Sequence, residues 1–395
     1  MSAIALLAIG LTAFAIGVLS GHGGASAAPG HGGAAAPERE KHADVIADAE
    51  LVGPNEAWAA TSQRLALTVD AGRHWKTITP EGVQAESIRA IYFSDSTHGW
   101  IAVSPDPYAI HPELSVLSTS DGGATWSSSE ITDPDLLTIA RVRITFVGNH
   151  GWVSVNEQSP GGSNAISHLY SSADSGKSWS TLPRPPAPGE LKFTSDTEGW
   201  LAGGVGTQTL WRSLNGGQSW SPVRLELPAG VEEPMVSYGT PEISESGPSL
   251  LPVTFSKPEY ETEVGVYASS DGGDSWTLGS VVPVAGATEP GLPVETSFPD
   301  PDTVAIVNPE SSTLSIVADE PPGGSGEGAR SPGSPMSRRV VNTEGLPSSA
   351  LVDFSGAQDA LALVNSASCP GCSEEGVLLF TGDGGRSWKP SPSRP

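Results

Sequence analysis

The sequence is poor in charge, and poorer still in bases. Charged residues fill only 16% of its 395 positions, with 20 Lys and Arg against 45 Asp and Glu and a formal net charge of −25. Such a chain repels phosphate backbones and anionic lipid, which argues against nucleic acid as a partner. The acids are scattered rather than gathered in a run, so they read as a solubilising surface and not as a tail. Cysteine is nearly absent: Cys369 and Cys372 are the only two, too few for a structural zinc site. Nothing in the pattern calls for a metal or a cofactor. Aromatic residues are sparse at 6%, yet 11 are Trp against 6 Tyr and 8 Phe.

Long apolar runs are missing except at residues 3–19, which Ala25-Ser26-Ala27 follows in the small-x-small pattern of a cleavage site. No Lys or Arg precedes Arg39, an unusual start for a leader. Residues 1–27 therefore read as a signal peptide or an N-terminal membrane anchor, slightly short for a full span. Residues 28–42, rich in Gly, Ala, Pro and His, read as a flexible linker, and His22 and His31 as inert. The expected location is extracytoplasmic, secreted or held at the membrane by the apolar segment.

What is abundant is Gly (47) and Pro (35), which suits short strands joined by turns. The tryptophans are periodic. Six segments align, namely 68–75, 119–126, 172–179, 213–220, 269–276 and 381–388, with the pattern S/T-x-D-x-G-x-S/T-W and small departures. They supply Asp70, Asp121, Asp174, Asn215, Asp271 and Asp383, each followed five residues on by Trp75, Trp126, Trp179, Trp220, Trp276 and Trp388. The carboxylate can accept backbone N–H groups of the turn that follows, and the Gly supplies positive φ. The Trp then falls on one side of the outgoing strand. Catalysis or calcium binding would be the functional reading of these acids; a folded turn is the reading preferred here.

The acids are spaced by 51, 53, 41 and 56 residues, then by 112, which is two units. A decayed seventh copy is expected around Asp319. A second motif leads each box: Ile91-Tyr92-Phe93 before Gly99-Trp100, Ile144-Thr145-Phe146 before Gly151-Trp152, and Leu191-Lys192-Phe193 before Gly199-Trp200. Weaker copies end on Tyr238, Phe298 and Phe354. Each unit reads as four antiparallel strands, A to D, with the box between C and D. The expected fold is all-β, one seven-bladed β-propeller of four-stranded antiparallel blades over residues 43–391. Strand A begins near Val45 and the last strand D ends near Pro390, so no strand exchange is needed to close the ring.

The box resembles the Asp-box, or bacterial neuraminidase repeat, found in sialidases, sortilin-type receptors and xyloglucan hydrolases. Combined with I-x-F and Gly-Trp, it is most similar to the photosystem II stability and assembly factor family, over about residues 45–390. That resemblance implies an exported, non-catalytic propeller that binds an exported or membrane protein through a basic patch on one face. A sialidase-like glycoside hydrolase or a carbohydrate-binding propeller is the alternative, with a glycan as ligand. Against the enzyme, no Arg-Ile-Pro entry motif occurs. Tyr260 and Glu261, as neighbours in a strand, would point to opposite sides. A monomer is expected.

In such blades the A–B and C–D turns share one face, and the B–C and D–A connections share the other. The second face carries the unlike loops, where binding residues usually sit. Tyr108, His111 and Tyr260 fall there as anchors; the plainer reading is a solvated loop. Arg89, Arg141, Arg143 and Lys192 fall in strands A on the same side near the axis. They form either a positive spot for an anionic partner or ion pairs with acids such as Glu190. Pro370 and Gly371 between the cysteines make a type II turn, bringing the outer Cα atoms within about 7 Å. In an exported protein this predicts a local disulfide.

Overall fold

The computed structural model describes residues 44–157, 166–203, 209–228, 231, 236–244, 247–256, 261–284, 294–308, 313–318, 336–347, 350–364 and 375–395. Blade 1 holds β1 (Ile46–Gly53), β2 (Glu56–Thr61), β3 (Leu65–Thr68) and β4 (Lys76–Thr77). Blade 2 holds β5 (Ile88–Phe93), β6 (Gly99–Val103), β7 (Leu114–Thr119) and β8 (Ser127–Ile131). Blade 3 holds β9 (Arg141–Val147), β10 (His150–Asn156), β11 (Ser167–Ser172) and β12 (Ser180–Leu182). Blade 4 holds β13 (Gly189–Phe193), β14 (Gly199–Gly203), β15 (Leu210–Ser213) and β16 (Ser221–Val223). Blade 5 holds β17 (Val236–Tyr238), β18 (Ser249–Ser256), β19 (Thr262–Ser269) and β20 (Thr277–Val284). Blade 6 holds β21 (Thr296–Asp300), β22 (Thr303–Asn308), β23 (Thr313–Ala318) and β24 (Ser337–Asn342). Blade 7 holds β25 (Leu351–Phe354), β26 (Ala360–Val364), β27 (Val377–Thr381) and β28 (Lys389–Pro390).

Each blade is one antiparallel sheet in sequence order, so all four strands come from one contiguous segment. This is the expected seven-bladed propeller, with no strand exchanged between blades among the described residues. Among the described residues, seven apolar clusters are found, one in each gap between neighbouring blades. The gap between blades 7 and 1 is filled by Ile46, Leu51, Leu361, Leu363 and Leu378, which closes the ring. Burial of each such side chain is worth about 1.5–3 kcal/mol, so cohesion comes from face-to-face packing of blades. The decayed unit stands as blade 6; its expected turn at Asp319 lies outside the described residues.

The paired motifs explain that packing. Phe93, Phe146 and Phe193 on strands A lie opposite Gly99, Gly151 and Gly199 on strands B. A Cβ on Gly151 would come within 2.2 Å of the Phe146 ring, so the ring needs a glycine beneath it. The Trp after each Gly turns to the next blade. Trp100 stacks on Phe146 at 3.9 Å, and Trp152 on Phe193 at 3.7 Å. The turn Trp of the same blade meets the Phe edge-on, as in Phe146 with Trp179 at 6.0 Å and 80°. Phe146 and Phe193 are thus each held by one Trp from their own blade and one from the blade before.

The turns between strands C and D repeat one hydrogen-bond pattern. In the second, Thr119 Oγ1 donates to Asp121 Oδ1 at 2.9 Å and accepts the Gly123 N–H at 2.9 Å. Asp121 also accepts the Thr125 N–H at 2.8 Å and the Thr125 hydroxyl at 2.6 Å. Asn215 keeps the pattern with one reversal: its Oδ1 accepts the Ser213 hydroxyl and the Ser219 N–H, while its Nδ2 donates to the Ser219 hydroxyl. These turns sit beside the A–B turns, as Ala71 N to Asn55 O (2.8 Å) and Ser175 N to Asn149 O (2.9 Å) show. The two turn sets therefore occupy one face of the ring.

Candidate functional site

Strand alternation sends Arg141 and Arg143 of β9 to one side, and Glu190 and Lys192 of β13 likewise. The structure brings these groups together with their counter-ions. Buried Arg143 grips Glu190 of the next blade with both arms, Nε donating to Oε2 at 2.7 Å and Nη2 to Oε1. Arg141 Nη1 lies 3.9 Å from the same Glu190. Buried Lys192 donates to Glu242 of blade 5, and its ammonium lies 5.6 Å from the Phe298 ring. Arg89 donates to the Ser104 carbonyl through Nε (3.2 Å) and Nη2 (3.0 Å). The charges of Arg143 and Lys192 are thus committed to Glu190 and Glu242, each inside the protein, where one partner without the other is costly.

The middle residue of the I-x-F motif does more than alternation suggests. It reaches the next blade: Tyr92 OH donates to Phe146 O at 2.9 Å, and Ser297 Oγ accepts the Phe354 N–H at 3.0 Å. Lys192 does the same through Glu242. At the closing gap the residue is Asp353, whose Oδ2 accepts the Leu51 N–H at 2.7 Å while its buried Oδ1 has no partner among the described residues.

Asp353 is one of three inner carboxyls that the motif reading passed over. Burial pushes Asp353 up to about 8, and the neighbouring Asp48 adds to the shift. Burial likewise pushes Glu295 up to about 8, helped by Asp353, Glu190 and Asp48. Asp48 is raised to about 7 by burial, against the opposing hydrogen bond from Ala49 N–H. Asp353 is buried and Asp48 and Glu295 partly so; enclosure disfavours the charged form of each, and Asp48 adds to the shift of the other two. For Asp353 the readable signal was a carboxylate at the x position, where blades 2 to 6 carry Tyr, Thr, Lys or Ser. Among the described residues, no group of three or more His, Cys, Asp or Glu is arranged to hold a metal ion.

Tyr108 and His111 lie on the loop between β6 and β7. Tyr108 is 59% exposed. His111 has φ 56°, donates its N–H to Leu137 O at 3.3 Å and places Nδ1 3.1 Å from Leu136 O. Tyr260, Cys369 and Cys372 lie outside the described residues, as do residues 1–43.

No family model matches this sequence. The photosystem II assembly lipoprotein Ycf48 of Synechococcus sp. (strain CC9902) is 27% identical over 177 residues, 44% of this chain and 47% of that protein. The chain therefore matches about half the length of this curated relative. The solved structure described as YCF48 bound to D1 peptide is 18% identical, with TM-score 0.44 over 77% of this chain and 80% of that one. A polysaccharide lyase, an ulvan lyase of family PL25, is 9% identical, with TM-score 0.50 over 88% and 95%.

Proposed function

We propose that this protein is a non-catalytic propeller that binds other proteins, an assembly scaffold working outside the cytoplasm. The observation that carries the reading is the difference between its two faces. One is a set of near-identical turns bonded to one another, which maintain the blades. The other bears unlike loops on a rigid frame, the arrangement that serves recognition. The relative of similar sequence is an assembly lipoprotein, which supports the same role. In this reading the six turns belong to the Asp-box class and are structural. Residues 1–27 export or anchor the chain, residues 28–42 tether it, and Cys369 and Cys372 form a local disulfide. The inner bases Arg89 and Arg141 frame the binding face, while Arg143 and Lys192 hold blades together.

The test is photo-cross-linking in the native cell envelope from single positions on each face. Cross-links to a protein from residues 104–114, with none from Arg73 or Arg386 in the turns, are expected. A partner mapped to the turns would reverse the assignment.

A carbohydrate-active second reading is favoured by one observation, the enclosure of Asp353 and Glu295, which pushes both carboxyls up, since glycoside hydrolysis needs a carboxylic acid kept neutral. A panel of chromogenic glycosides decides it. No turnover is expected; turnover removed by Asp353→Asn would install the enzyme.

A further inference from the structure

Half of the large apolar side chains that stand exposed among the described residues gather on three neighbouring connections. Tyr108 (59%) and Ile110 (80%) lie on the β6–β7 loop, Leu137 (49%) on the β8–β9 connection, and Ile166 (41%) just before β11. Backbone bonds tie these segments into one surface. His111 N–H donates to Leu137 O at 3.3 Å, and Ile139 N–H to Pro107 O at 2.9 Å. Leu137 N–H donates to Glu157 Oε1 at 2.7 Å, and Glu157 N–H to Ile166 O at 2.9 Å.

The surface is held from below. Asp133 Oδ2 accepts the Tyr170 hydroxyl at 2.8 Å and lies 3.0 Å from His168 Nδ1, while His168 Nε2 sits 3.3 Å from Glu157 Oε1. His168 and Tyr170 are almost wholly buried. This strut fixes the β8–β9 connection and Glu157, hence Leu137 and Ile166. On the remaining loop, His111 keeps a left-handed backbone that a non-glycine residue adopts at a cost of order 1 kcal/mol. Ile110, next to it, is left almost fully in water. Rigid, exposed and apolar is the profile of a recognition surface rather than of a solvated loop.

Its charge selects the partner. The two connections, residues 104–114 and 132–140, carry Asp106, Glu113 and Asp135 besides the inward-turned Asp133, and no Lys or Arg of their own; Arg89, bonded to the Ser104 carbonyl, is the base beside them. We infer that this surface docks an apolar protein segment flanked by basic residues. The flanking Lys or Arg groups meet the rim carboxylates, and the apolar centre covers Ile110, Leu137 and Ile166. Anionic lipid is repelled by the same rim. The inference rests on the protein-binding reading and gives it a place and a chemistry, away from the ion pairs at the axis.

The test uses the whole chain and a synthetic peptide whose central Leu- and Phe-rich run is flanked by lysines, followed by fluorescence anisotropy. Binding is expected, and should weaken at least about tenfold in the Ile110→Ser/Leu137→Ser double variant and in Ile166→Ser/Leu137→Ser. The double variant Val69→Ser/Leu214→Ser, at exposed apolar positions in the turns, should bind as the parent does. All three should melt like the parent, since every changed side chain is exposed. Equal binding of a Glu-flanked peptide, or equal loss from the turn variant, overturns the proposal. So does binding to phosphatidylglycerol-containing vesicles that the patch variants abolish, which would make the surface a membrane site. Envelope cross-linking with the patch variants separates the two levels. Partner capture that survives Ile110→Ser/Leu137→Ser sinks the docking surface and leaves the scaffold standing, whereas absence of capture by the parent sinks the scaffold.

Discussion

Trp100 of blade 2 donates its indole N–H to the carbonyl of Ser175 in the turn of blade 3, at 2.9 Å. Trp152 repeats the link one blade on, to Gly216 at 3.0 Å. Trp58 and Trp200 occupy the same place but have no partner for their N–H among the described residues, and the matching carbonyls are taken by bases. Lys76 donates to Gly122 O at 3.2 Å, and Arg212 to Gly272 O at 2.8 Å with its guanidinium 4.9 Å from the Trp200 ring. Replacing Trp100 with Phe keeps a ring against Phe146 but strands the carbonyl. It should cost about 1–2 kcal/mol more in denaturant unfolding than Trp58→Phe, which discards an unpaired donor. Equal costs would show that the indole bond contributes nothing.

Gly151→Ala should destabilise by about 1–3 kcal/mol, because its Cβ would meet the Phe146 ring and the stack on Trp100 must shift. Gly82, with positive φ but nothing within 4 Å, gives the contrast: Gly82→Ala carries only the backbone strain. Thermal melts of the two variants make the comparison.

Arg143→Ala leaves Glu190 half enclosed without its main counter-charge, and about 3 kcal/mol of stability should be lost. The double change Arg143→Leu/Glu190→Leu should recover most of it. If the single variant is as stable as the parent, the pair is ornamental and Arg143 is free for another task.

Stability should peak in mildly acidic solution. The turn aspartates Asp70, Asp121, Asp174, Asp271 and Asp383 are lowered to about 2, first by the side chain four residues on and next by its N–H. Their contribution is present above the unfolded value of about 4 and is lost as pH falls towards 2. Asp48, Glu295 and Asp353 act in the opposite sense. Raised to about 7 or 8, they favour the folded state below about pH 4, and that advantage disappears as pH rises through 7 to 8. Melting temperature against pH should therefore fall on both sides of about pH 4–5. Asp353→Asn with Glu295→Gln should flatten the alkaline limb alone; an unchanged limb would mean these carboxyls are not protonated in the fold.

The sequence carried the fold almost whole, because every blade repeats its own local chemistry. The Gly under Phe146 and the hydroxyl–carboxylate turn at Thr119 and Asp121 are written in adjacent residues. What crosses a blade boundary was harder to see. Glu190 was named as a partner for the inner bases, yet Glu242, which holds Lys192, lies fifty residues away in a segment without a strong motif. Asp353 stood out only by its place in the motif, and Glu295 not at all among 45 acids. Only the ring sets them beside Asp48. Ile110 and Leu137 were invisible for the same reason: an apolar residue in a loop is ordinary until three loops are placed together.

The joint between blades 7 and 1 has a mechanical meaning. Among the described residues no strand bridges it, and residues 391–395 instead lie across blade 1 as a strap. Ser391 Oγ and Ser393 Oγ donate to Gly72 O at 3.0 and 2.9 Å, and Arg64 Nε donates to Pro395 O at 2.9 Å. A load applied at the C-terminal end would undo these bonds one after another, as a zipper opens, where an exchanged strand would have to shear all at once. Under tension the ring should therefore yield first at this joint and at low force, with the six other gaps still closed.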